Sequence, residues 1–316
     1  MSTQELRLAV HQIFQRKRLL GVTQTLVIAL GLFGLLTFTF AGQLLAGPAS
    51  RTPTAIVGQR PISHSVAIST PAPLRTPTPR PSPWPTGPLP PTLAQAVAAL
   101  QVQNRLLYSG NTTLPEIALT FDDGPNPYYT PQVLAILQQY QVHATFFCIG
   151  RLVELYPALV QQEYHAGNII GNHSWWHPDL TLLSPPSIQF QLVHTSQAIQ
   201  AAIGVRPAFF RPPYGKMSVE VLTQVYHLGL TTIVWNDEAR DWQLPGVNVI
   251  IQRIFRLAGN GAIILLHDGG GDRSQTVAAL PSIIEGLRQS GFQLVTVQKL
   301  LQDMHQAGSD PPGAMV

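Results

Sequence analysis

The sequence predicts an α/β protein in which parallel strands curl into a small or incomplete (β/α) barrel. Three observations predict it. From Pro115 onward, short apolar β-type runs alternate with stretches of helical spacing, the pattern of a parallel sheet covered by helices. Seven such units fall between residues 115 and 305, whereas a complete eightfold barrel typically takes about 250 residues. Everything before that region differs in composition, first basic and apolar, then proline-rich, and neither part can supply a packed core.

Taken in order, residues 1–18 carry Arg7, Arg16, Lys17 and Arg18, and the run Leu19–Ala41 has Gln24 as its only strongly polar residue. Roughly 20 apolar residues cross a bilayer core as a helix. The preceding positive charges put residues 1–18 in the cytoplasm and the rest of the chain outside. The apolar run is longer than a usual signal-peptide core, and LLAGPA is only a fair cleavage sequence. That favours an uncleaved single-pass anchor over residues 19–46, in the cell membrane, rather than a removed leader. Either way the C-terminal domain is exported. Residues 47–92 hold thirteen prolines and no acid, which reads as an extended spacer holding the domain off the membrane. Residues 93–114 form a short lead-in, and 306–316 a disordered tail.

Within 115–305, EIALTF is the first strand and TPQVLAILQQY the first helix, opened by Thr-Pro. HATFFCIG is the second strand, followed by a helix from Leu152 to Ala166 that stops at Gly167. NIIGNH is the third, and Ser184-Pro185 opens the next helix as cap and first-turn residue. PAFFR, LTTIVWN, GAIILLH and FQLVTV complete the strands. Between and after them come helices at Ser218–Leu228, Val247–Ala258, Thr276–Gln289 (with Pro281 inside) and Gln298–His305.

Charge and cysteine narrow the function. The chain carries a formal +3 and a pI near 9.2, but nine of its nineteen basic residues precede Glu116 and only Glu5 opposes them. From Glu116 onward ten basic and fifteen acidic residues leave 10 − 15 = −5. The basicity belongs to the tail, so the folded part does not read as a nucleic-acid binder. Cys148 is the only cysteine and sits in the apolar ATFFCIG, so it reads as a small buried hydrophobe, and no internal disulfide exists to replace a core.

The polar residues that remain fall at strand ends. Asp122 and Asp123 follow the first strand, His173 and His177 the third, Arg211 the fourth, Asp241 the fifth, and His267 ends the sixth. In parallel barrels the carboxyl ends of the strands share one mouth, so these residues converge. A carboxylate with two imidazoles is a three-ligand set that leaves metal positions open, and a spare carboxylate beside it can take a proton from water. A spacing of four puts His173 and His177 on one side of a helical turn, with Asn172 and Ser174 as candidates to set their tautomers. Read alone, Asp-Asp-Gly-Pro is also a turn with a capping Asp, and two histidines with one carboxylate also suit a non-haem iron oxygenase.

The strings TFDDGP, HSWWHP, RPPYG, RDW and ILLHD, in this order, resemble the NodB-type polysaccharide deacetylases, carbohydrate esterase family 4, over about Pro115–Leu301. The resemblance implies a deformed (β/α)7-type barrel and a divalent metal, usually zinc and sometimes cobalt. It implies hydrolysis of N-acetyl, occasionally O-acetyl, groups on a glycan. It also implies Asp122 as general base and Asp123, His173 and His177 as metal ligands. Arg211 would orient the base and keep it ionised, and the Tyr214 N–H would face the oxyanion. His267 would be the general acid, with Asp241 raising its pKa, and Trp242 and Leu265 would line the acetyl pocket. Many members carry an Asp three residues before the Asp of the DW pair, where this chain has Glu238. For an exported chain the first substrate to expect is peptidoglycan N-acetylglucosamine. Chitooligosaccharide, acetyl-xylan and a catalytically silent wall-binding module are the alternatives, and the oligomeric state is open.

Overall fold

A computed structural model describes residues 87–307. The expected anchor (19–46), most of the spacer (47–92) and most of the tail (306–316) lie outside the described residues. Among the described residues no helix is long and apolar enough to cross a membrane.

The chain opens with α1 (Leu93–Val102), capped by the Thr92 hydroxyl accepting from the Gln95 N–H, then β1 (Leu106–Leu107) and β2 (Glu116–Asp122). α2 (Thr130–Gln139), β3 (Thr145–Cys148), α3 (Gly150–Leu155), α4 (Pro157–His165) and β4 (Ile169–Asn172) follow. Next come α5 (Pro185–Ile203), β5 (Phe209–Phe210), α6 (Val219–His227), β6 (Thr231–Ile233) and β7 (Asp237–Glu238). α7 (Val247–Leu257), β8 (Ala262–His267), α8 (Ser274–Gln289), β9 (Gln293–Val295) and α9 (Val297–Ala307) close the fold. One nine-stranded sheet runs in the order β1-β6-β5-β4-β3-β2-β8-β7. The first half of β2 pairs with β9 and the second half with β3, and each strand pairing in the sheet is parallel. The sheet is a curled parallel (β/α) layer, as the alternation of elements requires.

Two strands beyond the expected seven appear. β1 comes from the lead-in and pairs with β6, while Ala96 and Leu100 of α1 pack on Leu222 and Tyr226 of α6. The lead-in is therefore built into the fold. β7 is a two-residue strand beside β8. The helix expected over Leu152–Ala166 breaks in two at Tyr156 (φ −128°, ψ 53°), because Pro157 cannot continue a helix but starts one well. Pro281, by contrast, stays inside α8.

The period of two along β2 and β8 sorts the core. Ile117, Leu119 and Phe121 with Ile264 and Leu266 face the helices, meeting Val133, Leu137, Ile250, Ile254, Leu280 and Ile284. Each such side chain contributes about 1.5–3 kcal/mol on burial. The other face looks inward. Ala118 and Ile263 join Phe147, Phe209 and Ile233 in an inner cluster, plugged by Val297 and Leu300 of α9. Two residues further along the same face come Thr120 and Leu265, then Asp122 and His267, which lie side by side in register. The interior thus turns from apolar to polar at the carboxyl ends of the strands.

Candidate active site

Asp122 ends β2 and is buried. Arg211, just past β5, reaches it across the interior: Nη1 donates to Asp122 Oδ1 at 2.8 Å and to Thr120 Oγ1 at 2.7 Å. The other guanidinium nitrogens donate to the carbonyls of Ile233 and Val234, and the guanidinium carbon lies 4.1 Å from the Phe147 ring centroid. Arg211 is wholly buried, so every donor direction is spent on fixing Asp122 from behind. Burial raises the Asp122 pKa above the ordinary carboxylate range, and the charges of Arg211 and His267 only partly oppose it. This departs from the expectation that Arg211 would hold the carboxyl at low pKa: desolvation outweighs the guanidinium. The result is a more basic carboxylate than a free Asp.

Asp123 follows with φ 70°, a left-handed turn that Asp tolerates better than most residues. The turn splits the adjacent carboxylates. Asp123 Oδ1 lies 3.6 Å from His173 Nε2 and 3.4 Å from His177 Nε2, and it is buried without a hydrogen-bond donor. The His173 Nδ1–H donates to the Arg211 carbonyl at 2.8 Å, which leaves the Nε2 lone pair facing the carboxylates. Burial, then the neighbouring His177, lower the His173 pKa to about 3, so it is a neutral imidazole. One atom from each of Asp123, His173 and His177 falls within 4.8 Å of the others. A neutral imidazole pair and an undonated carboxylate oxygen are the donor set of a divalent metal site, and these residues fit one.

The expected helical turn between the two histidines is absent. Residues 173–177 form a loop with Ser174 at φ 66° and His177 at φ 59°, yet the rings approach to 4.8 Å between centroids. Asn172 and Ser174 build this loop rather than set tautomers: Asn172 Oδ1 accepts from the Ser174 N–H, and Ser174 Oγ from the His177 N–H.

On the far side, His267 ends β8. Its Nδ1 lies 2.8 Å from Asp241 Oδ1, while Asp241 Oδ2 accepts from the His267 N–H and from Thr276 Oγ1. Burial works against the His267 cation, but the hydrogen bond and charge of Asp241, with Asp122 and Asp123 beyond, outweigh it and raise the pKa. Burial likewise pushes Asp241 up, and the bonds from His267 and Thr276 overcome it, leaving the pKa lowered. Leu265 is buried on the same face as His267. Tyr214 (φ 59°) is exposed and stands edge-on to His177 at 4.6 Å. Trp242 is half exposed, its Nε1–H donating to Glu238 at 3.4 Å. Thr120, Thr276 and Gln191, whose Oε1 accepts from the N–H groups of Trp175 and Trp176, are parts of the site that the sequence did not single out. Only Thr120 left a signal, a polar residue on the inward face of a buried strand.

A curled parallel sheet bearing an Asp-His-His cluster between an Asp–Arg pair and an Asp–His pair defines a hydrolytic enzyme of the (β/α) barrel class. Residues 109–233 match the family model of polysaccharide deacetylases. A peptidoglycan-N-acetylglucosamine deacetylase of Bacillus cereus is 42% identical over 191 residues, 60% of this chain and 89% of that protein. A chitooligosaccharide deacetylase of Bradyrhizobium is 38% identical over 196 residues, 58% of this chain and 90% of that protein. The crystal structure of a peptidoglycan N-acetylglucosamine deacetylase in complex with a naphthyl-substituted N-oxidanyl-benzamide is similar with TM-score 0.63 at 31% identity, covering 65% of this chain and 96% of that one. The chain belongs to the NodB-type polysaccharide deacetylases, carbohydrate esterase family 4.

Proposed function

We propose that the chain is a metal-dependent N-deacetylase of extracytoplasmic peptidoglycan, acting on N-acetylglucosamine units and tethered to the cell membrane by its N-terminal helix. The observation that carries the catalytic reading is the pairing on either side of the Asp-His-His cluster. Asp122 is backed by Arg211 and made more basic by burial, and His267 is backed by Asp241 and made a better-held cation. A base and an acid with separate partners flank one ligand set, the division of labour that amide hydrolysis needs.

Asp123, His173 and His177 would hold the ion, with zinc favoured by the imidazole and carboxylate donors and cobalt as a substitute. When bound it supplies Lewis acidity, lowering the pKa of water and polarising the acyl carbonyl. Asp122 takes the proton from the attacking water. The oxyanion accepts from the Tyr214 N–H. His267 gives its proton to the departing amine nitrogen, while Asp241 steadies the imidazolium and keeps Nε2 toward the mouth. Trp242 and Leu265 bound the space for the acetyl methyl. The products are acetate and a glucosamine amine. Relatives that act on peptidoglycan and on chitooligosaccharide support a glycan amide as substrate, and the exported topology favours peptidoglycan.

The test is acetate release by the metal-replete full chain from peptidoglycan fragments, chitooligosaccharides and acetyl-xylan, with and without chelator. Peptidoglycan fragments should give the highest kcat/KM, chelator should abolish it and zinc should restore it. Binding without acetate release from any glycan would instead make the chain a wall-binding module.

A further inference from the structure

We propose that the open face of Trp176 is a sugar-stacking platform that holds the ring next to the one being deacetylated, extending the binding mouth from His177 toward α5. The proposal deepens the deacetylase reading and rests on it for the class of ligand.

Trp176 directly precedes His177 in the loop after β4, so its Cα is about 3.8 Å from that of a residue of the Asp-His-His cluster. Its indole is not part of the core. It is 56% exposed, among the largest exposed apolar side chains of the described residues. One face is covered: the ring stacks on Phe190 of α5, centroids 5.3 Å apart and planes 25° from parallel. Phe190 is backed in turn by His194 at 3.9 Å, and Trp175 stands edge-on to both Trp176 and Phe190. The exposed area is therefore the opposite face and rim.

The backbone beneath is held as firmly. Gln191, buried, accepts from both the Trp175 and the Trp176 N–H groups, at 2.9 and 3.0 Å. An indole fixed from behind and open in front has already lost the freedom that binding would otherwise cost. Large amphipathic rings held this way are binding anchors more often than packing errors. The matching ligand has an apolar C–H face for the ring and a hydroxyl rim for water. A pyranose has both, and a polysaccharide supplies a further pyranose on each side of the reacting one. Tyr214, exposed on the other flank of His177, bounds the same mouth.

Kinetics on N-acetylglucosamine oligomers from disaccharide to hexasaccharide test the platform, comparing the wild-type chain with Trp176→Ala and Trp176→Phe. In Trp176→Ala the KM increase should grow with chain length to roughly tenfold on the hexasaccharide, with kcat the less affected parameter, because stacking is worth about that much per ring. Trp176→Phe should recover most of it. An equal loss at every length, or a loss confined to kcat, would overturn the platform and make Trp176 a support for His177. Calorimetric titration with the hexasaccharide reads the platform without turnover: about tenfold weaker Kd in Trp176→Ala supports it, and an equal Kd overturns it. A wild-type chain that releases no acetate yet shows that difference in Kd would sink the deacetylase reading and keep the platform.

Discussion

Asp241 contacts no position where substrate would lie, yet it sets the state of the residue that does. Both its oxygens are spent, one on His267 Nδ1 and one shared by the His267 N–H and Thr276. Burial alone would make His267 a weak base, and Asp241 reverses that. The proposed general acid works only while protonated, so activity falls as pH rises through the His267 pKa, which lies above the ordinary histidine value. Removing the Asp241 charge lowers that pKa and moves the fall to lower pH. Asp241→Asn should therefore shift the basic limb of the kcat/KM profile downward and reduce the maximum on the order of 10²-fold. A pH–rate profile with an unmoved basic limb would show that Asp241 acts only as a structural acceptor. The ionisable residues of this site were legible in the sequence because chemistry of this kind draws on few residue types. Thr120, Thr276 and Gln191 were not, since a Thr in a strand or a Gln in a helix reads first as an ordinary residue of that element.

At the scale of elements, the site depends on two loops pressed together, the Asp122-Asp123-Gly124 turn after β2 and the loop after β8. The Asp268 and Gly269 N–H groups both reach the Asp122 carbonyl. A Cβ on Gly269 would fall 1.9 Å from the Asp123 carbonyl oxygen, a backbone atom that cannot swing aside. Gly269→Ala should thus push the Asp123 turn off its position while leaving the sheet intact. Metal affinity should fall about 10–100-fold, the cost of disturbing a ligand's support, as read by titration with zinc or cobalt. Unchanged affinity would mean that the turn relaxes without moving Asp123. None of this contact was visible beforehand. The longer strands were, because runs such as EIALTF and GAIILLH are apolar enough to be seen. β1 and β7 are two residues each and carry no period to read. The left-handed residues Asp123, Ser174, His177 and Tyr214 are set by tertiary packing, which is why a spacing of four suggested a helical turn that the chain does not make.

Across the whole molecule, charge is divided between two functions. The acidic folded part holds the hydrolytic site, and residues 1–115 carry nine basic residues against one acid. Arginines spread along the proline-rich segment would hug an anionic surface, with roughly 1 kcal/mol per basic residue near a membrane, screened by salt. That arrangement suits an enzyme kept at the inner edge of the wall, where an extended spacer sets how far the mouth reaches into the polymer. The proposed topology makes two measurable statements, that the chain stays in the membrane and that its catalytic part faces outward. Full-length protein carrying a C-terminal tag should remain in the membrane pellet after alkaline carbonate washing, and protease added to intact spheroplasts should remove the tag. A soluble product shortened by about the length of a leader would replace the anchor with a cleaved signal peptide. A membrane-bound tag protected until the spheroplasts are lysed would put the domain inside, away from peptidoglycan, and overturn the proposed substrate with it.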